Sequence, residues 1–142
     1  MTTLPFQPVD ILADIRAIAI EAGDRIMEVY ESEFDVRSKD DHSPVTDADH
    51  AADIVILKSL QALTPRIPIV TEEQVDAGNI PDISGGVFWL VDPLDGTKEF
   101  IRRNGEFTVN IALIADRRPV LGVVHAPALD VTYQAAFRRL PQ

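Results

Sequence analysis

The chain has 142 residues, no cysteine and a formal net charge of −10. That length suits one domain with a real core. The lack of thiols excludes a disulfide framework and any thiolate metal site, and fits a reducing, cytoplasmic setting. The acidic balance argues against binding a DNA or RNA strand through a basic surface. A small anionic substrate stays compatible where a bound cation reverses the local field.

Residues 1–10 carry neither a basic n-region nor an apolar h-region, so no signal peptide is read there. Apolar runs such as 54–57 are far too short to span a bilayer. Residues 9–31 read as one long amphipathic helix, with Ile11, Ile15, Ile18, Ala22, Ile26 and Val29 at steps of three and four. Asp10 is the expected N-cap. Gly23 inside it costs roughly 1 kcal/mol relative to Ala, and marks an expected close helix contact. Residues 34–44 read as a polar loop with a short strand near Val36. A second helix follows. Thr46 is its expected cap, with Asp49 completing a variant of the capping box. Ala52, Ile56, Leu60 and Leu63 form its apolar stripe, and Pro65 ends it.

The period then changes. Residues 69–71 are a short strand ending at Glu72-Glu73, and 74–86 a turn-rich connection with Pro81 and Gly85-Gly86. Residues 87–91 are an apolar strand, expected to be central and buried. Residues 97–103 suit one or two helical turns. Residues 108–115 and 120–125 form a hairpin about the turn 116–119, and 131–137 are a last strand. Two helices followed by several strands argue for an α+β fold, two long helices packed on a mostly antiparallel sheet, as one domain over 1–142.

The chemistry concentrates at strand ends. Glu72 follows the strand 69–71 and Asp92 follows 87–91. If the strands are neighbours, both carboxylates leave one edge, and Asp95 returns to it across Pro93-Leu94. Pro93 fixes its own φ, and the bend can aim the Leu94 carbonyl inward. Such an oxygen-only set suits Mg²⁺ with several waters retained. The same residues also suit an Asp-Pro turn with solvated acids. Gly96 lets backbone approach a ligand. Thr97 suits either a metal-bound water or a plain helix cap. Asp49 is equally explained by the helix dipole. Lys39 and His42 read as solvated loop residues, and His50 and His125 receive no role. No Ser-His-Asp or Cys-His order supports covalent catalysis.

Taken together, the run Trp89-Leu90-Val91-Asp92-Pro93-Leu94-Asp95-Gly96-Thr97-Lys98-Glu99-Phe100 resembles the signature of the inositol monophosphatase superfamily of Mg²⁺-dependent, lithium-sensitive phosphatases. Ser43-Pro44-Val45-Thr46-Asp47-Ala48-Asp49 and Thr71-Glu72-Glu73 match its two upstream motifs in order. Lys98-Glu99-Phe100-Ile101, with Arg103 to Ile114 after it, is similar to the 3'(2'),5'-bisphosphate nucleotidase branch. The resemblance implies a phosphatase that removes the 3'-phosphate of 3'-phosphoadenosine 5'-phosphate to give AMP, in sulfur metabolism, using two or three Mg²⁺ ions. It implies that Glu72, Asp92 and the Leu94 carbonyl bind a first Mg²⁺, that Asp92 and Asp95 bind a second, and that Glu72 helps hold a third. It implies that Asp49 and Thr97 position and activate water, and that substrate contacts fall on Glu72, Leu94, Asp95, Gly96 and Thr97. The hydrolysis would be direct and in line, with no phosphoenzyme.

Members of the family carry a second α/β half, and the resemblance here covers only the N-terminal half. The tail Phe137-Arg138-Arg139-Leu140-Pro141-Gln142 departs from the family's Gly-rich stretch. Two other readings follow: an inositol or sugar monophosphatase of the same superfamily, and a catalytically inactive metal-binding or association domain. A nucleotide bisphosphate is the expected small-molecule partner. A homo-oligomer and a peripheral position at the inner face of the membrane are compatible with the resemblance.

Overall fold

A computed structural model of the chain describes residues 4–32 and 44–138. A 3-10 turn, Pro8–Ile11, leads into α1, Leu12–Tyr30, and α2 is Pro44–Leu63. Next come β1 (Ile69–Thr71), α3 (Glu72–Asp76), β2 (Val87–Asp95), α4 (Thr97–Arg102), β3 (Thr108–Ala115), β4 (Arg118–Ala126) and β5 (Val131–Ala136). The strands form one sheet in chain order, β1-β2-β3-β4-β5. β1 runs parallel to β2, and every later pair is antiparallel. The fold is α+β, as the element order implies.

Alternation in β3 sets the layers. Val109, Ile111, Leu113 and Ala115 are buried, while the residues between them are half-buried. The buried set packs with Ile15, Ala22 and Ile26 of α1 and Ala52, Ile56 and Leu60 of α2. Trp89 is fully buried in this layer. Its indole N–H donates to Thr64 Oγ1 at 2.9 Å, which satisfies the one polar atom such a ring carries inward. The opposite face of the sheet is barer. Leu90 is 48% exposed, so β2 is not the two-sided buried strand its apolar run suggests. It lies second in the sheet, and β3 is the middle strand.

Several local expectations are corrected. Asp10 lies inside the 3-10 turn and caps nothing; the N-cap of α1 is Ile11, with no side-chain hydrogen bond. Thr46 is inside α2, because the helix already begins at Pro44. Proline is well suited to a first helical turn, where its missing N–H is no loss. Leu63 is half-exposed at the end of the stripe rather than within it. The start of the expected turn-rich connection is helical, as α3. Gly23 does make room for a close approach, but to the end of β4. A Cβ there would lie 2.9 Å from His125 Cδ2 and 3.0 Å from Pro127 Cβ. The hairpin turn is two residues, Asp116 and Arg117, both with positive φ, the geometry that matches strand twist. β5 stops one residue before Phe137. The loop and strand expected near Val36, with Lys39 and His42, lie outside the described residues.

Candidate active site

Parallel pairing of β1 with β2 puts Thr71 beside Val91. The next residue on each strand is therefore Glu72 and Asp92. Thr71 is fully buried and caps α3, its Oγ1 accepting from Gln74 N–H at 3.0 Å. That cap bends the chain sharply, so Glu72 opens α3 at the strand end. On β2 the register with β3 slips between Asp92, which pairs with Asn110, and Asp95, which pairs with Thr108. Pro93-Leu94 forms the irregularity, and the Leu94 side chain is buried in the core. Bulges of this kind re-aim side chains. Asn110 Nδ2 donates to Asp95 Oδ2 at 3.3 Å, and Thr108 Oγ1 donates to Asn110 Oδ1 at 2.9 Å.

The carboxylates feel one another. Burial pushes Asp92 up to about 6, and the charges of Glu72 and Asp95 push the same way. A hydrogen bond with Glu72 also favours the protonated form, against a backbone hydrogen bond at Leu94 that favours the anion. Asp49 rises further, to about 7, first by burial and then by the charges of Glu73, Asp92, Asp53 and Glu72. The N-terminal half of α2 thus faces the strand-end acids. Among the described residues, three buried carboxylate oxygens here have no hydrogen-bond partner: Asp49 Oδ1, Asp53 Oδ1 and Glu73 Oε2. Among the described residues, no three His, Asp or Glu side chains stand close enough to form a ready-made metal cage. Mg²⁺ does not require one, since it binds through one or two carboxylates and keeps several waters.

Glu72 and Asp92 open onto a hollow of about 570 Å³, whose floor includes Val70, Leu90, Ala112 and Val124 on the bare face of the sheet. Asp95 is exposed beyond it. Gly96 sits at φ 95°, ψ 51° as the N-cap of α4. A Cβ there would meet Phe107 Cα at 3.2 Å and Glu106 O at 3.3 Å, so the position needs glycine for both conformation and space. Thr97 follows it, exposed, as the first residue of α4.

Asp53 is not singled out in the sequence reading, and His50 and His125, given no role there, each meet a specific partner. Asp53 is fully buried, and its Oδ2 accepts from Gln74 Nε2 at 3.2 Å. His50 Nδ1 lies 2.6 Å from Glu73 Oε1. His125 is buried against Gly23, with Nδ1 2.8 Å from Thr132 Oγ1. The available signal for Asp53 was its place in the apolar stripe, between Ala52 and Ile56, four residues after Asp49.

With the geometry in place, comparison with known proteins assigns the family. Residues 8–139 match the inositol monophosphatase family. The chain belongs to it. Over 128 residues it is 53% identical to the 3'(2'),5'-bisphosphate nucleotidase CysQ of Escherichia coli, a match covering 89% of this chain and 52% of that protein. The crystal structure of CysQ from Bacteroides thetaiotaomicron superposes with a TM-score of 0.77 at 40% identity, covering 94% of this chain and 48% of that one. An inositol monophosphatase from Anabaena gives 0.73 at 26% identity, covering 89% and 44%. The chain spans about half the length of the curated relatives it matches. Among the described residues no helix is long and apolar enough to cross a membrane.

Proposed function

We propose that this chain carries the acidic face of a Mg²⁺-dependent phosphomonoesterase whose substrate is 3'-phosphoadenosine 5'-phosphate, released as AMP and phosphate. The observation that carries the reading is the Glu72–Asp92 pair, one residue beyond the parallel Thr71–Val91 pairing, with Asp92 raised to about 6 by burial first and then by the charges of Glu72 and Asp95. The part of that rise that comes from Glu72 and Asp95 is like-charge repulsion, which a bound cation would relieve. The donors are oxygen only, and the orphaned oxygens of Asp49 and Glu73 add to the same negative field. That chemistry fits a hard divalent cation.

In this reading Glu72, Asp92 and the Leu94 carbonyl would hold one ion, Asp92 and Asp95 a second, and Glu72 would reach toward a third. When bound, such ions supply hydroxide near neutral pH and stabilise the leaving oxygen. Asp49 and Thr97 would orient and activate the attacking water. Gly96 brings the backbone of the Gly96-Thr97 step close to the scissile phosphate. The branch resemblance and the names of the relatives support a nucleotide bisphosphate over an inositol phosphate.

The test is phosphate release from 3'-phosphoadenosine 5'-phosphate and from inositol monophosphate, side by side, with and without Mg²⁺ and Li⁺. Mg²⁺-dependent, Li⁺-inhibited release from the nucleotide is the expected result. Faster turnover of inositol monophosphate would move the substrate to the other branch. Mg²⁺ binding with no hydrolysis of either compound would assign this chain a binding or association role, which the bare sheet face under Leu90 would serve.

A further inference from the structure

Two side-chain links tie α2 to α3 immediately beside Glu72. Gln74 Nε2 donates to Asp53 Oδ2 at 3.2 Å, and His50 Nδ1 meets Glu73 Oε1 at 2.6 Å. They engage the second and third residues of a helix only five residues long. So short a helix has no stability of its own. The Thr71 cap fixes where α3 starts but leaves its direction to packing, and Val75 is 36% exposed, so packing is light. Asp53 differs from every other acid in the region in being fully buried. Burying a carboxylate is costly without a partner, and the Gln74 amide is the side-chain donor it has.

We infer that Asp53 and Gln74 form a positioning clamp that sets the orientation of α3, and through it holds Glu72 beside Asp92. The inference rests on the proposed metal-binding role of Glu72 and deepens it. Neither clamp residue touches substrate or ion. Asp53 acts through Gln74, and Gln74 through the helix whose first residue is Glu72. His50–Glu73 is the outer, more exposed link of the same fastening and contributes less, because exposed pairs are weak.

The test compares Gln74→Met, which removes the donor at similar volume and adds no charge, with Asp53→Asn, which removes the charge but keeps an acceptor for Gln74. Asn79→Ala, which removes only the 2.9 Å donor to Gln74 Oε1, is the control for the other bond that Gln74→Met breaks and should leave Mg²⁺ affinity unchanged. Mg²⁺ affinity is read by titration calorimetry, and amide hydrogen exchange is followed in metal-free buffer. Gln74→Met should weaken Mg²⁺ binding roughly 10- to 100-fold, as loss of support behind a metal ligand does. It should also speed exchange across 72–78 while leaving β3 and β4 unchanged. Asp53→Asn should stay close to the wild type in both measurements. Unchanged affinity and exchange in Gln74→Met would overturn the clamp. Weakening in Asp53→Asn but not in Gln74→Met would also overturn it, by making the Asp53 charge the active feature. If the wild type itself binds no Mg²⁺, the metal reading falls and the clamp falls with it. Wild-type binding with indifferent variants sinks the clamp alone.

Discussion

Glu72 and Asp92 each follow a member of the parallel Thr71–Val91 pair, Glu72 opening α3 and Asp92 inside β2 just before its irregularity. Their proximity is a property of backbone register, not of side-chain choice. Asp92 also has Asp95 as a neighbour across the Pro93-Leu94 irregularity, so in the proposed function it is the acid that both ion positions would share.

Asp92→Asn is therefore expected to abolish Mg²⁺-dependent phosphate release. The loss in Mg²⁺ affinity should exceed the roughly 10- to 100-fold seen for groups behind a ligand. The same variant should unfold at a higher temperature than the wild type in metal-free buffer at neutral pH, because one of the mutually repelling charges is gone. Calorimetric titration and thermal melts check both. A fully active Asp92→Asn would remove Asp92 from the site.

Asp49 gives a pH prediction. Folded, it keeps its proton to about pH 7; unfolded, it releases it near 3.8. Between those values the folded state binds more protons than the unfolded state, so this group's contribution to stability falls as pH rises. Measured without metal, the wild type should lose stability relative to Asp49→Asn across that window, and the difference should level off above it. Saturating Mg²⁺ should flatten the trend. A pH-independent difference between the two proteins would contradict the assigned cause.

How far the sequence foretold this arrangement varies with the physics behind each element. The bounds of β3 were legible in its unbroken run without Gly or Pro, and which face the helices cover came from the structure. The Asp92 to Thr97 run was legible because proline and glycine constrain the backbone locally. Adjacency of β1 and β2 was conditional until the parallel register was seen, since pairing is non-local. α3 was missed because five residues are too few to show a helical period. Asp53 was passed over because an acid in an apolar stripe looks like a break in the pattern, and only the Gln74 contact explains it. Leu90 was misjudged because an apolar run says nothing about which of its faces is covered.

Gly96→Ala tests the turn between the acids and α4. The left-handed conformation alone costs a non-glycine residue about 1–3 kcal/mol. The added methyl would also press on backbone, Phe107 Cα at 3.2 Å and Glu106 O at 3.3 Å, which cannot swing aside as a side-chain end can. Urea unfolding should show destabilisation at or above that range. Phosphate release should fall more than Mg²⁺ affinity, because in the proposed function the step would carry phosphate contacts and not the carboxylates. Equal loss of both would mean the turn acts only by supporting the metal ligands.

Gly23→Ala sets two effects of similar size against each other. Alanine favours a helix interior over glycine by roughly 1 kcal/mol. Here, however, the methyl would meet His125 Cδ2 at 2.9 Å and Pro127 Cβ at 3.0 Å. The imidazole is buried and held by Thr132 Oγ1 at 2.8 Å, and the proline ring is rigid, so neither neighbour yields cheaply. Overpacking of this kind costs about 1–3 kcal/mol. The net expectation is a destabilisation of about 0–2 kcal/mol by the same two estimates. Pairing the change with His125→Ala should relieve part of it, since the opposing ring is then gone while the contact with Pro127 Cβ at 3.0 Å remains. A double-mutant cycle from urea unfolding reads that coupling directly, and additive effects would show that α1 and the end of β4 do not meet at Gly23.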